Sequence, residues 1–173
     1  MPIFSNQAFI DAQNLYFSTT NAKVAWSIDL FRFRTYLREK YHVDKAYYFI
    51  GAYNIKFQKL YKKITAAEFI IVFREHDPEQ NSHKKGNVDT DIVFSIMKKI
   101  AEHEKLNKII LVSGDGDYFR TVQYLAKKNK LEKILAPNKE SFSTLYTRKL
   151  SDTSYLFLDD HEIKKKIERK PHK

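Results

Sequence analysis

No cysteine occurs in the 173 residues of this chain. That excludes disulfides and thiolate metal centres and suits a reducing compartment. Long apolar runs are also missing. The longest, residues 69–73 and 109–112, are strand length and far too short to cross a bilayer. The start, MPIFSNQAFIDAQNL, has no basic segment followed by an apolar stretch, so it does not read as a signal peptide. A cytoplasmic protein with no membrane partner is the expectation. There is no GK[ST] segment of the Walker type, which argues against a phosphate-binding P-loop. The six histidines show no zinc-ligand spacing, and His76 and His83 read as loop residues. Glycine is scarce as well, with only Gly51, Gly86, Gly114 and Gly116.

Apolar residues supply 43% of the chain and aromatics 14%, enough to fill one core and too much for a disordered chain. The formal charge of +10 favours polyanions through Coulomb attraction and counterion release.

Along the chain, β-rich segments alternate with helical periodicity. Residues 7–10 read as a buried strand ending at Asp11, and 28–41 as a helix. Residues 43–50 read as a strand stopping at Gly51, 57–67 as a basic amphipathic helix, and 69–73 as a third strand. After the polar loop REHDPEQNSHKKGN, a helix starts near Asp89, and residues 108–112 form a fourth strand ending at Ser113. A helix through Phe119, Val122 and Leu125 follows, then a fifth strand at Ile134 and Leu135. A short helix at 141–148 and a strand at 155–158 close the domain. The alternation predicts an α/β fold of three layers, α/β/α, with a central, mostly parallel sheet. Residues 1–159 form one domain. Residues 160–173 are expected to be a basic tail, a frayed surface helix with Ile163 and Ile167 as its apolar contacts.

In such a sheet, ligands bind beyond the carboxyl ends of the strands. Asp11, Asp115 and Asp117 follow strands, and Asp89 opens a helix on the same edge. All four glycines fall along that edge, where tight or left-handed turns and close backbone approach are expected of them. Converging carboxylates repel one another, and a divalent cation removes that cost. Mg²⁺ and Mn²⁺ prefer oxygen ligands and can polarise a phosphoryl oxygen or activate a water. Two of these acids also have a plainer explanation. Asp89 would serve as N-cap of a helix beginning at Thr90, and Asp117 as N-cap of one beginning at Tyr118. Asp115 between two glycines and Asp11 after an apolar strand are harder to explain structurally. Asp91, two residues past Asp89, points elsewhere on a helix.

Three segments, FIDAQNLY (9–16), KKGNVDTDI (84–92) and VSGDGDYF (112–119), together resemble the signature segments of NYN domains, within the wider PIN-like nucleases. The resemblance spans residues 8–158. It implies a Rossmann-like (PIN-like) fold and metal-dependent RNA cleavage, with Asp11, Asp89, Asp115 and Asp117 as catalytic and metal-binding acids. Asn14 would orient Asp11, and Ser113 would hold the SGDGD turn. The implied cofactor is Mg²⁺ or Mn²⁺, and the implied partner is single-stranded RNA, cut internally to leave a 5′-phosphate. Ala12 replaces the family's usual glycine. Ser95 and Met97 stand where many members carry a further aspartate and a different apolar residue.

Lys84, Lys85, Arg120 and Tyr16 are the candidate substrate contacts, with Lys59, Lys62, Lys63, Phe17 and Tyr53 behind them. Charged residues there meet phosphates and aromatics stack on unpaired bases, or they are ordinary solvated lysines and packing residues. Three alternatives stand: an RNA-binding module without catalysis, a magnesium-dependent phosphatase, and a toxin-like nuclease with a protein inhibitor. Homodimerisation is left open.

Overall fold

The computed structural model describes residues 5–75, 88–102 and 105–170. Six strands form one sheet: β1 (Ser5–Asp11), β2 (Val43–Ile50), β3 (Ile70–Phe73), β4 (Leu106–Val112), β5 (Leu131–Ala136) and β6 (Tyr155–Phe157). Their order is β3-β2-β1-β4-β5-β6, and every neighbouring pair is parallel. Parallel strands need crossovers, and among the described residues six helices supply them: α1 (Ala12–Thr20), α2 (Leu30–Tyr41), α3 (Gln58–Ala66), α4 (Val88–Ala101), α5 (Phe119–Lys127) and α6 (Thr144–Lys149); a seventh, α7 (His161–Ile167), follows β6.

The side-chain alternation of the central strands sorts the core into two layers. Ala8 and Ile10 of β1, with Ile110 and Val112 of β4, face α1, α2, α3 and α7. Phe9, Ile109 and Leu111 face α4, α5 and α6. The expected three-layer architecture is thus present, and its sheet is parallel throughout. Asp11 has the parity of Phe9, so its side chain leaves the sheet toward the layer of α4 and α5. The chain order reverses between β1 and β4, which opens the crevice where such sheets bind ligands.

Two elements differ from expectation. The first is α1, which the sequence hides because only Leu15 and Thr19 of its nine residues are buried. The second is the carboxyl-terminal segment, which is docked rather than frayed. Ile167 is fully buried, and Asp29 N donates to its carbonyl (2.9 Å). Arg169 N donates to Ser27 O (2.8 Å), and the Lys164 ammonium sits 5.2 Å from the Trp26 ring. Ile163 and Ile167 are four residues apart, so they share one helix face, and that face packs onto the α2 layer.

Glycine also plays a smaller conformational part than expected. None of the described glycines has a positive φ. The left-handed positions belong instead to His42, Glu68 and Asn129, just before β2, β3 and β5. The exposed His42, at φ 53°, ψ 40°, caps α2. A Cβ there costs about 1 kcal/mol, partly offset by the freedom glycine adds to the unfolded chain. His42→Gly is expected to raise stability by about 0.5 kcal/mol, or roughly 1–2 °C in melting temperature. A thermal melt that falls instead would show that the imidazole contributes more than the cap strain costs.

Candidate metal centre

Asp11 ends β1 and caps α1: its Oδ1 accepts from Asn14 N (2.9 Å). Asn14 thus holds Asp11 through its backbone N–H, and its side chain has a second partner. Its Oδ1 accepts from Gly114 N (3.0 Å) and so ties the β1 end to the β4 end. Fully buried Ser113 accepts from Asp115 N at Oγ (3.1 Å). Asp115 Oδ1 in turn accepts from Asp117 N (3.0 Å) and caps a short 3₁₀ turn, Gly116–Tyr118. The cap expected of Asp117 is therefore made by Asp115, and the Asp117 carboxylate is left exposed. Asp89 is likewise no N-cap, because α4 starts one residue earlier and places it in the first turn. Gly116 is required by close approach, since a Cβ there would stand 2.5 Å from Ser143 Oγ, the N-cap of α6.

Three of the four acids converge. One carboxylate oxygen from each of Asp89, Asp115 and Asp117 lies within 4.8 Å of the others. Oxygens bound to one Mg²⁺ at about 2.1 Å are at most ~4.2 Å apart, so a shared ion needs only slight closure of these side chains. Ionised carboxylates at this spacing repel, and the half-exposed setting admits a hydrated cation. The donor set, all oxygen, fits Mg²⁺ or Mn²⁺.

Asp11 lies outside that spacing. It is 4% exposed, and its Oδ2 accepts from the Tyr118 hydroxyl (2.9 Å), which also contacts Asp89 Oδ1 (2.7 Å). Tyr118 thus links the buried acid to the three-acid group. Burial pushes the Asp11 carboxyl above the usual carboxylate range, and the charges of Asp89 and Asp115 add to this. The bonds from Asn14 N and Tyr118 oppose it. Burial, with the neighbouring carboxylates, raises the Tyr118 hydroxyl far enough that it stays neutral and remains a donor.

Tyr118 and Tyr146 were not anticipated as site residues. The buried Tyr146 hydroxyl donates to the Asp115 carbonyl and braces the turn from α6. The available signal was chemical: a tyrosine at an otherwise apolar core position needs a partner for its hydroxyl.

Among the candidate substrate contacts, Tyr16 (62% exposed) and Phe17 (49%) lie on α1 in edge-to-face contact, and Arg120 is exposed in the first turn of α5. Lys59, Lys62 and Lys63 are exposed on α3. Asp91 is half-buried and outside the three-acid group. Lys84, Lys85, Gly86, His76 and His83 lie outside the described residues. No described helix is long and apolar enough to cross a membrane.

Comparison with known proteins agrees with this arrangement. Residues 7–156 match the NYN domain model. The chain is 23% identical over 170 residues to the low amplitude and bright protein LabA of Synechococcus elongatus, covering 93% of this chain and 86% of that one. It also superimposes on the crystal structure of a protein of unknown function from Vibrio parahaemolyticus with a TM-score of 0.70. That match has 18% identity and covers 92% of this chain and 97% of the other, a likeness of fold.

Proposed function

The chain belongs to the NYN domain family, and on that premise we propose that it is a ribonuclease, dependent on Mg²⁺ or Mn²⁺, that hydrolyses phosphodiester bonds of single-stranded RNA. The observation that carries this is the convergence of Asp89, Asp115 and Asp117, which come from α4 and from the β4–α5 turn, onto one open edge.

A phosphodiester is an anion, and an acidic pocket repels it unless a cation intervenes. Asp89, Asp115 and Asp117 would hold the ion. When bound, it supplies Lewis acidity toward a phosphoryl oxygen and lowers the pKa of water. Asp115 is doubly fixed for this, through the Ser113 hydroxyl bond at its N–H and the Tyr146 hydroxyl at its carbonyl. Asp117, the most exposed of the three, is placed to orient water or meet a second ion. Asp11 is linked to Asp89 through the Tyr118 hydroxyl that both carboxylates contact. Arg120, with Lys84 and Lys85, would meet the phosphates of the strand, and Tyr16 an unpaired base.

The test is a single-stranded RNA labelled at either end, incubated with Mn²⁺ or Mg²⁺ and then with chelator. Internal cuts bearing 5′-phosphates, stopped by chelation and restored by metal, are expected. RNA that is bound but intact at every metal concentration would instead make the chain a binding module.

A further inference from the structure

The corner between β2 and α3 combines basic charge with exposed apolar surface. Residues 51–67 contain four lysines and no acidic residue. Lys56, Lys59, Lys62 and Lys63 are all exposed, and among the described residues no salt bridge holds any of them. Lys59, Lys62 and Lys63 have i, i+3, i+4 spacing and so share one face of α3. Beside them stand Tyr53 (54% exposed), Ile55 (65%), Phe57 (52%) and Leu60 (46%).

Tyr53 and the turn that follows it are held in place by packing and hydrogen bonds. The Tyr53 ring packs on Tyr61 and Phe73, each 5.4 Å away between centroids. Asn54 N donates to the Tyr61 hydroxyl (3.2 Å), and Asn54 Oδ1 accepts from Lys56 N (3.0 Å). The start of the corner is also close to Asp11. Phe49 pairs with Asp11 across the β1–β2 ladder, so Gly51 leaves the sheet two residues beyond Asp11, one strand spacing (~4.8 Å) to the side. The opposite flank, residues 138–160, carries three basic and four acidic residues and offers a polyanion no comparable path.

We propose that the β2–α3 corner is a platform for single-stranded RNA that leads a strand onto the three-acid group from the β2 side. This rests on the ribonuclease reading. The lysines meet successive phosphates, and Tyr53 and Phe57 stack on bases. Fixed exposed aromatics beside a basic stripe match an unpaired strand, whose bases are free to stack, better than a duplex. A second copy of the chain is a poorer occupant. A two-fold interface would set the same lysines against each other.

Fluorescence anisotropy with a labelled single-stranded RNA, in chelator so that nothing is cut, tests the proposal. Lys59→Gln/Lys63→Gln is expected to weaken binding about tenfold or more at 0.1 M salt and to reduce the log–log salt slope by about 1.4. Tyr53→Leu, which keeps apolar mass on Tyr61 and Phe73, is expected to cost about fivefold for the single strand with the melting temperature unchanged. Lys127→Gln/Lys128→Gln, exposed at the far end of α5, is the control and should bind as the parent does. Equal losses in control and corner variants, or no loss in either, would overturn the platform. So would a Phe57→Ser variant that converts a dimer to monomers with RNA affinity intact. Binding through the corner without metal-dependent cleavage would leave the platform standing and remove the ribonuclease reading. Cleavage with an unaltered KM in the lysine variant would do the reverse.

Discussion

Asp115→Asn is expected to lower cleavage by about three orders of magnitude while leaving the fold intact. An amide keeps the Oδ1 acceptor, so the bond from Asp117 N that caps the 3₁₀ turn survives. The bond from Asp115 N to Ser113 and that from the Tyr146 hydroxyl involve the backbone and are untouched. What is lost is one anionic oxygen of the three that converge. If a held cation supplies about 4 kcal/mol of transition-state stabilisation, losing its grip costs roughly 10³-fold in rate. A second readout needs no substrate. An ion that binds only the folded chain at 100 times its Kd stabilises it by about 2.7 kcal/mol, a rise of roughly 5–10 °C for a domain of this size. The parent should show that rise with Mn²⁺, and Asp115→Asn should lose most of it. Undiminished turnover by the folded variant, or an equal thermal rise in both proteins, would remove Asp115 from the metal site.

The strand and helix alternation was plain in the sequence because β1, β4 and β5 are buried on both faces and read as continuous apolar runs. The edge that holds the acids followed from the same pattern, since a parallel sheet brings the carboxyl ends of β1 and β4 together. Two features of the site were not accessible in that way. The cap at Asp115 depends on whether the turn begins at residue 115 or 117, a difference that a local propensity cannot decide. The role of Tyr118 depends on three segments meeting: the end of β1, the first turn of α4 and the start of α5. Periodicity reports that position 118 is buried, and only the packed structure reports where the hydroxyl points. The docking of α7 was missed for a similar reason. Two isoleucines among five lysines and arginines in residues 160–170 look like a solvated face until α2 offers them a surface.

Asp11→Asn is expected to stabilise the protein at neutral pH while abolishing cleavage. Burial raises the folded-state pKa of Asp11 above its unfolded value. Between those two pKa values the folded chain holds a proton that the unfolded chain has released. Above the folded value, the buried carboxylate exists at the full cost of its desolvation. Stability from this group is therefore greatest at low pH and is lost as pH rises through the folded pKa. An asparagine removes that cost, and its single oxygen accepts from Asn14 N as the native Oδ1 does, while its amide nitrogen takes the place of Oδ2 and donates to the Tyr118 oxygen. The variant should melt a few degrees above the parent at pH 7, and the gap should shrink as the pH is lowered toward 4. Activity should nonetheless vanish, because the amide turns the Tyr118 hydrogen wholly onto Asp89 and removes one of the negative charges that draw a cation to the site. A gain in stability bought with the loss of turnover is the signature of an acid kept for function against the preference of the fold. A variant that melts lower than the parent at pH 7 would instead make Asp11 a structural residue, with the cap of α1 as its main task.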